Sequence, residues 1–238
     1  MNSYMVKNVE YASELLNWIT GIEGIKGVYL ITEFLPRKGQ IDDADFLYNL
    51  LNFINALYQN ELIVILGYLN TEALLLSIAN PSIITIGSYG NLRCFDYSTF
   101  KNVNEKGERG WTNPRIFIPR LLDWVEYDYF TLIKNNFPTY VGFSDNKYNS
   151  TLLSPTYRGN SVKLTYNHFF IEGSKQLRDV SILEDEARYN KVCDIIESGI
   201  QVYSQLELAG FQLGDHGPNL PKWLTAANLF ASDQGWRE

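Results

Sequence analysis

This chain has little of what builds a metal centre, a disulfide framework or a membrane span. Its 238 residues include two cysteines, Cys94 and Cys193, and two histidines, His168 and His216. No CxxC pair occurs, and a zinc site needs four ligands, or three plus water, at close spacing. The cysteines read as small buried thiols, which points to a reducing cytoplasm and to no bound metal. No apolar run approaches the length of a membrane span. The first residues, MNSYMVKNVEYASELLNWI, lack a cationic start followed by an apolar core and do not read as a signal peptide. Excess positive charge is missing too. The formal net charge is −7, so a broad basic face for nucleic acid is disfavoured. There is no GxGxxG, no Walker loop and no nucleophile elbow, and no cofactor is implied.

What is present is a soluble globular composition, 45% hydrophobic and 20% charged, with 16 tyrosines. Three short apolar runs organise it: Val28-Tyr-Leu-Ile31, Leu62-Ile-Val-Ile-Leu66 and Ile83-Ile-Thr-Ile86. Runs of about five mostly β-branched residues read as strands buried on both faces. The predicted strands are 27–33, 62–67 and 82–87. A helical pattern separates each run from the next. Alternation of this kind implies right-handed βαβ crossovers and a parallel sheet. Phe46, Leu50, Phe53, Ile54 and Leu57 stripe a helix opened by Asp42-Asp43, and Asn70-Thr71 reads as the N-cap of a helix to Ala79. Ile116-Phe-Ile118 predicts a fourth parallel strand, held to a strand end by Pro119, with a helix from Leu121 to Asn135.

Residues 138–166 read as a long loop with short strands at 139–143 and 162–166. Helices follow at 173–180, 182–209, with Gly210 as C-cap, and 221–231. The fold class is therefore α/β, a parallel-sheet (β/α)-barrel type. Residues 1–137 form the barrel portion, and 138–238 a loop region and helical C-terminal extension packed on the same domain. A complete barrel needs eight strands in about 250 residues. Four strands in the first 120 residues resemble the C-terminal part of a TIM-like barrel. Its open sheet edges call for an upstream segment, a second copy or a partner chain.

Ligands of parallel sheets bind at the carboxyl ends of the strands. That rule selects Glu33 after the first strand, Asn70 after the second, and the turn Gly87-Ser88-Tyr-Gly90-Asn91 after the third. Ser88 and Gly90 could offer donors to a phosphate or base, with Arg93 and Arg120 as counter-charges. Arg37 and Lys38 fit a solvated loop. Arg120 and Asp123 could pair, or Arg120 could face the barrel mouth. Glu33 and Asp123 are the carboxylates for any glycosidic chemistry. His168, beside Phe169 and Phe170, reads as a packed residue, and Asp215 could orient His216.

The stretch 27–96 resembles part of the tRNA-guanine transglycosylase barrel. In that family a strand ends in Gly-Glu, and the glutamate helps to hold a guanine or 7-deazaguanine base. Val28-Tyr-Leu-Ile-Thr-Glu33 ends similarly, with Thr in place of Gly. Ile65-Leu-Gly-Tyr-Leu-Asn-Thr-Glu-Ala-Leu-Leu76 matches the next strand, turn and helix. The following strand should carry an aspartate nucleophile, but Ile83-Ile-Thr-Ile-Gly-Ser-Tyr-Gly-Asn91 has no Asp, and the family's zinc cysteines are absent. The resemblance implies a barrel and a base contact at Glu33, without the activity. Two functions follow as expectations. One is a nucleobase, nucleoside or sugar-phosphate binder, acting or not on a glycosidic bond. The other is a non-catalytic interaction subunit or scaffold.

Overall fold

The computed structural model describes residues 1–34, 40–87, 92–97, 113–214 and 216–237. Two helices, α1 (Ser3–Lys7) and α2 (Val9–Thr20), lead into β1 (Gly27–Ile31). The long helix α3 (Ala44–Gln59) then crosses to β2 (Ile63–Leu69), and α4 (Ala73–Leu76) with a 3-10 turn at Ser77–Ala79 crosses to β3 (Ile83–Ile86). The three strands form one parallel sheet in chain order, with Gly27 beside Ile63 and Ile65 beside Ile83. The structure is thus mixed α/β around a parallel sheet, each strand within two residues of its predicted ends.

Asp43 caps α3, its carboxylate accepting from the Phe46 amide at 2.9 Å. Every residue of the predicted stripe is buried, and Leu47 and Leu51 widen it. Such a wide apolar surface needs cover on two sides. The sheet supplies one, and α9 (Leu220–Asp233), antecedent to the C-terminus, supplies the other. Trp223 of α9 is fully buried, and its indole N–H donates to the Ile41 carbonyl at 2.7 Å at the entry to α3.

Among the described residues, the helices cover the parallel sheet on one face. Leu30, Val64 and Leu66 are buried in the core beneath the helices, and Ile84 and Ile86 pack against it. The alternate side chains point the other way. There Tyr29 is 55% exposed, Ile63 50% and Ile83 48%. Parallel sheets are normally covered on both faces, so this open apolar face stands out.

Several expectations need correction. The fourth strand is not part of the parallel sheet: β4 (Arg115–Ile118) pairs antiparallel with β5 (Asp123–Glu126) in a separate hairpin. Pro119 has no N–H to continue a ladder, and Leu122 turns the chain with φ of 53°. The expected helix from Leu121 therefore starts only at α5 (Tyr127–Asn136). The strands expected at 139–143 and 162–166 are also not formed. Pro138–Tyr140 is a 3-10 turn, α6 (Asn149–Leu152) follows, and α7 runs from Val162 to Ser181. Ser161 caps α7 through the Leu164 amide at 3.4 Å. After α8 (Asp185–Leu208), Gly210 takes φ of 85°, and the Phe211 amide returns to the Leu206 carbonyl at 2.9 Å, as a glycine C-cap requires. Cys193 is buried on α8, which pushes its thiol up to about 11, while Cys94 is half-buried.

Among the described residues, no helix is long and apolar enough to cross a membrane.

Candidate functional site

The carboxyl end of the parallel sheet holds a group of polar side chains that should not be buried without cause. The pairing of β2 with β3 slips between Leu66 and Leu69, and Tyr68 takes φ of 61°. This irregular turn carries Asn70, Thr71 and Glu72 inward, all less than a tenth exposed. The expected cap is not formed: Asn70 turns its side chain away from the helix. Its Oδ1 accepts from the Trp124 indole at 3.3 Å, and its backbone N–H donates to Glu72 Oε1 at 2.9 Å. Burial pushes the Glu72 carboxyl up to about 7, against the lowering effect of the Asn70 amide. Glu72 Oε2 and the Thr71 hydroxyl are buried with no hydrogen-bond partner.

The 92–97 segment lies across the ends of all three strands. The Tyr97 amide donates to Glu33 Oε1 at 2.7 Å beyond β1, and Phe95 meets Tyr68 of β2 edge-to-face at 5.4 Å. Arg93 Nε donates to the Gly87 carbonyl at 3.2 Å after β3. Gly87 is required there, because a Cβ would lie 2.0 Å from the Leu92 carbonyl oxygen. The Arg93 guanidinium is boxed by Trp124, Tyr166 and Phe169, at 3.7, 4.6 and 4.9 Å from the ring centroids. Burial among these rings pushes Arg93 down to about 10, although Tyr166 opposes the shift. It remains charged at neutral pH.

Behind this group lies a cavity of about 10 Å³, lined by Asn70, Thr71, Ile86, Phe117, Phe169 and Gln176 among others. That is room for about one water molecule. A larger hollow of about 440 Å³ lies at the opposite, amino end, against Tyr58, Glu61, Ile63 and Ser82. It is open, and none of the polar residues that line it is buried.

Of the predicted residues, the fold therefore brings Asn70 and Arg93 together through Trp124, with Glu33 holding the same 92–97 segment. Ser88, Gly90, Arg37, Lys38 and Asp215 lie outside the described residues. Arg120 is exposed in the turn between β4 and β5, with Gly142 packed against its side chain. The expected Arg120–Asp123 pair is not formed; Asp123 faces other partners. Its Oδ1 accepts from Gln40 Nε2 at 2.7 Å and from the Trp124 amide at 2.6 Å. Its Oδ2 lies 2.8 Å from His216 Nδ1 and accepts from the Tyr203 hydroxyl at 3.4 Å. His216 Nε2 in turn lies 2.9 Å from Glu126 Oε2, and Glu126 Oε1 is paired with Arg115 at 2.6 Å. His168 is fully buried, with Nε2 3.1 Å from the Phe117 carbonyl. Burial holds it below the ordinary histidine value despite Glu172 nearby, so it stays neutral and packs, as its aromatic neighbours suggested.

Sequence reasoning missed Glu72, Trp124 and Tyr166. Glu72 left one signal. Thr71 to Ala79 is apolar on every side apart from Thr71, Glu72 and Ser77, and a helix apolar all round is a buried one. Among the described residues, no group of three or more His, Cys, Asp or Glu is arranged to hold a metal ion. No protein-family model, no curated protein and no solved structure matches the chain.

Proposed function

We propose that this chain binds a small planar or anionic ligand, of nucleobase, nucleoside or sugar-phosphate class, at the carboxyl end of its parallel sheet. The observation that carries the reading is the convergence of Asn70, Arg93 and Trp124 from three separate parts of the chain. A guanidinium stacked on an indole is a planar cation whose shape and charge suit a phosphate or a carbonyl edge. Asn70 and a half-protonated Glu72 add donors and acceptors in a dry setting, where each bond counts for more. The sheet, with helices on one face, supports a barrel-type reading of the fold. Glu33 serves this reading by fixing the 92–97 segment. Asp123, with both oxygens engaged by four donors, is assigned to structure rather than to glycosidic chemistry.

Thermal shift and calorimetric titration with guanine, guanosine, ribose 5-phosphate and inorganic phosphate test the reading. Binding by at least one of them, weakened about tenfold or more in Arg93→Ala and in Asn70→Ala, is the expected result. No binding by any of the four in a folded protein overturns it.

The interaction-subunit reading has its own observation, the open face of Tyr29, Ile63 and Ile83. Light scattering of the wild type beside Ile83→Lys tests it. A mass above the monomer that the lysine returns to the monomer supports a second copy on this face; a monomer in both excludes one.

A further inference from the structure

We infer that His216 is a pH-sensitive latch, fastening the start of α9 to the β4–β5 hairpin while its imidazole carries both protons. Nδ1 lies 2.8 Å from Asp123 Oδ2, and Nε2 lies 2.9 Å from Glu126 Oε2. An ionised carboxylate only accepts, so both ring nitrogens must donate, and only the imidazolium has two N–H groups. Loss of one proton leaves a lone pair facing a carboxylate oxygen at hydrogen-bond distance, and one of the two contacts turns repulsive.

The surroundings commit both carboxylates to this arrangement. Arg115 on β4 takes the other oxygen of Glu126, Gln40 and the Trp124 amide take the other oxygen of Asp123, and Tyr203 on α8 donates to the oxygen that His216 also holds. Burial alone would lower the His216 pKa, but the two carboxylates overcome it and raise the group above its ordinary value. Burial would likewise raise Glu126, but His216 and Arg115 pull it below the usual carboxylate range.

The latch sits where it has leverage. Gly217, with φ of 88°, lies flat on the Tyr203 ring, and a Cβ there would approach that ring to 2.7 Å. Its carbonyl accepts from the Leu220 amide at 3.1 Å, the first residue of α9. Asp123 is joined by one peptide bond to Trp124, which holds Asn70 and Arg93. Charge on His216 thus bears on the entry to α9 and on the hairpin that carries the candidate site.

Stability from a raised histidine is complete below about pH 6.5 and is lost as pH rises through the higher folded value. Stability from a lowered glutamate is lost as pH falls through its folded value. The latch is closed between those limits and opens on the alkaline side as pH rises through the upper one.

With only two histidines in the chain, ¹⁵N-histidine NMR of the wild type resolves both rings. The expected result at about pH 7 is one neutral ring, His168, and one doubly protonated ring that titrates above about 6.5. A second measurement reads the opening: limited proteolysis before α9, expected to accelerate several-fold from about pH 6 to pH 9 in the wild type and to be flat in His216→Gln. A His216 ring that is neutral at pH 7, or a proteolysis profile that keeps its slope in His216→Gln, overturns the inference. Should the variant fail to fold, the wild-type titration alone decides it.

Discussion

Trp124 donates its indole N–H to Asn70 Oδ1 at 3.3 Å, and this contact ties the β4–β5 hairpin to the end of the parallel sheet. The two residues stand 54 positions apart, on elements that share no ladder. The ring also faces the Arg93 guanidinium at 3.7 Å. One side chain therefore touches two of the predicted ligand contacts, Asn70 and Arg93.

Trp124→Phe keeps an aromatic ring over Arg93 but removes the indole donor. The expected cost is about 1–2 kcal/mol, from the hydrogen bond and the poorer fit of the smaller ring. Urea denaturation monitored by far-UV circular dichroism reads it. A loss below about 0.5 kcal/mol would mean that the hairpin is held by its other contacts alone.

Arg93→Lys keeps the charge and loses the plane. The three-ring box then holds a compact, strongly hydrated ammonium in place of a stacked guanidinium, and the bond to the Gly87 carbonyl is lost. Destabilisation of about 1–2 kcal/mol is expected, from the lost stacking and the lost bond. Urea denaturation reads it, and a loss below about 0.5 kcal/mol would mean that the rings hold an ammonium as well as a guanidinium.

Glu72→Gln should stabilise the protein at alkaline pH. Burial raises the Glu72 carboxyl to about 7. A raised acid contributes fully below its unfolded value and becomes a burden as pH climbs through the folded one. Above about pH 8 the ionised, buried carboxylate costs on the order of 3 kcal/mol, which the amide avoids. Stability curves at about pH 5 and pH 9 should cross or converge on the acid side and separate on the alkaline side. Parallel curves would show that the carboxyl is ionised throughout.

Gly87→Ala places a methyl group 2.0 Å from the Leu92 carbonyl oxygen. The neighbour is backbone, so the 92–97 segment must move as a whole. Loss of protection at the Tyr97 amide in hydrogen exchange is expected, because its bond to Glu33 depends on that segment's position. Unchanged protection would mean that the segment can shift without releasing Glu33.

The parallel sheet was legible because its strands carry a strong local signal, β-branched runs bounded by glycine and polar turns. Asp43 and Gly210 were legible for the same reason, since caps are local chemistry. The hairpin was not. Ile116-Phe-Ile118 has the same run of apolar residues as a parallel strand, and its partner is chosen by a turn at Leu122 that no glycine announces. The first half of helix α7, before the helix expected at 173–180, was hidden differently. The buried face of the whole helix is built from Thr165, His168, Phe169, Glu172, Gly173 and Val180. The spacing is helical, but only two of the six are large apolar residues, so no hydrophobic period appears. At the candidate site, Asn70 and Arg93 followed from the rule for strand ends. Trp124, Tyr166 and Glu72 did not, because what selects them is tertiary contact or burial.

The position of α3 between the sheet and α9 has a consequence for synthesis on the ribosome. Its sheet-facing side finds cover as soon as β2 and β3 emerge. Its other side waits for Trp223 and Phe230, roughly 160 residues later, or about 10–30 s at ordinary elongation rates. Through that interval the nascent chain carries a finished apolar helix face with no partner of its own. Helper proteins that shield such faces would find their longest opportunity there, and a chain released early would keep that face bare.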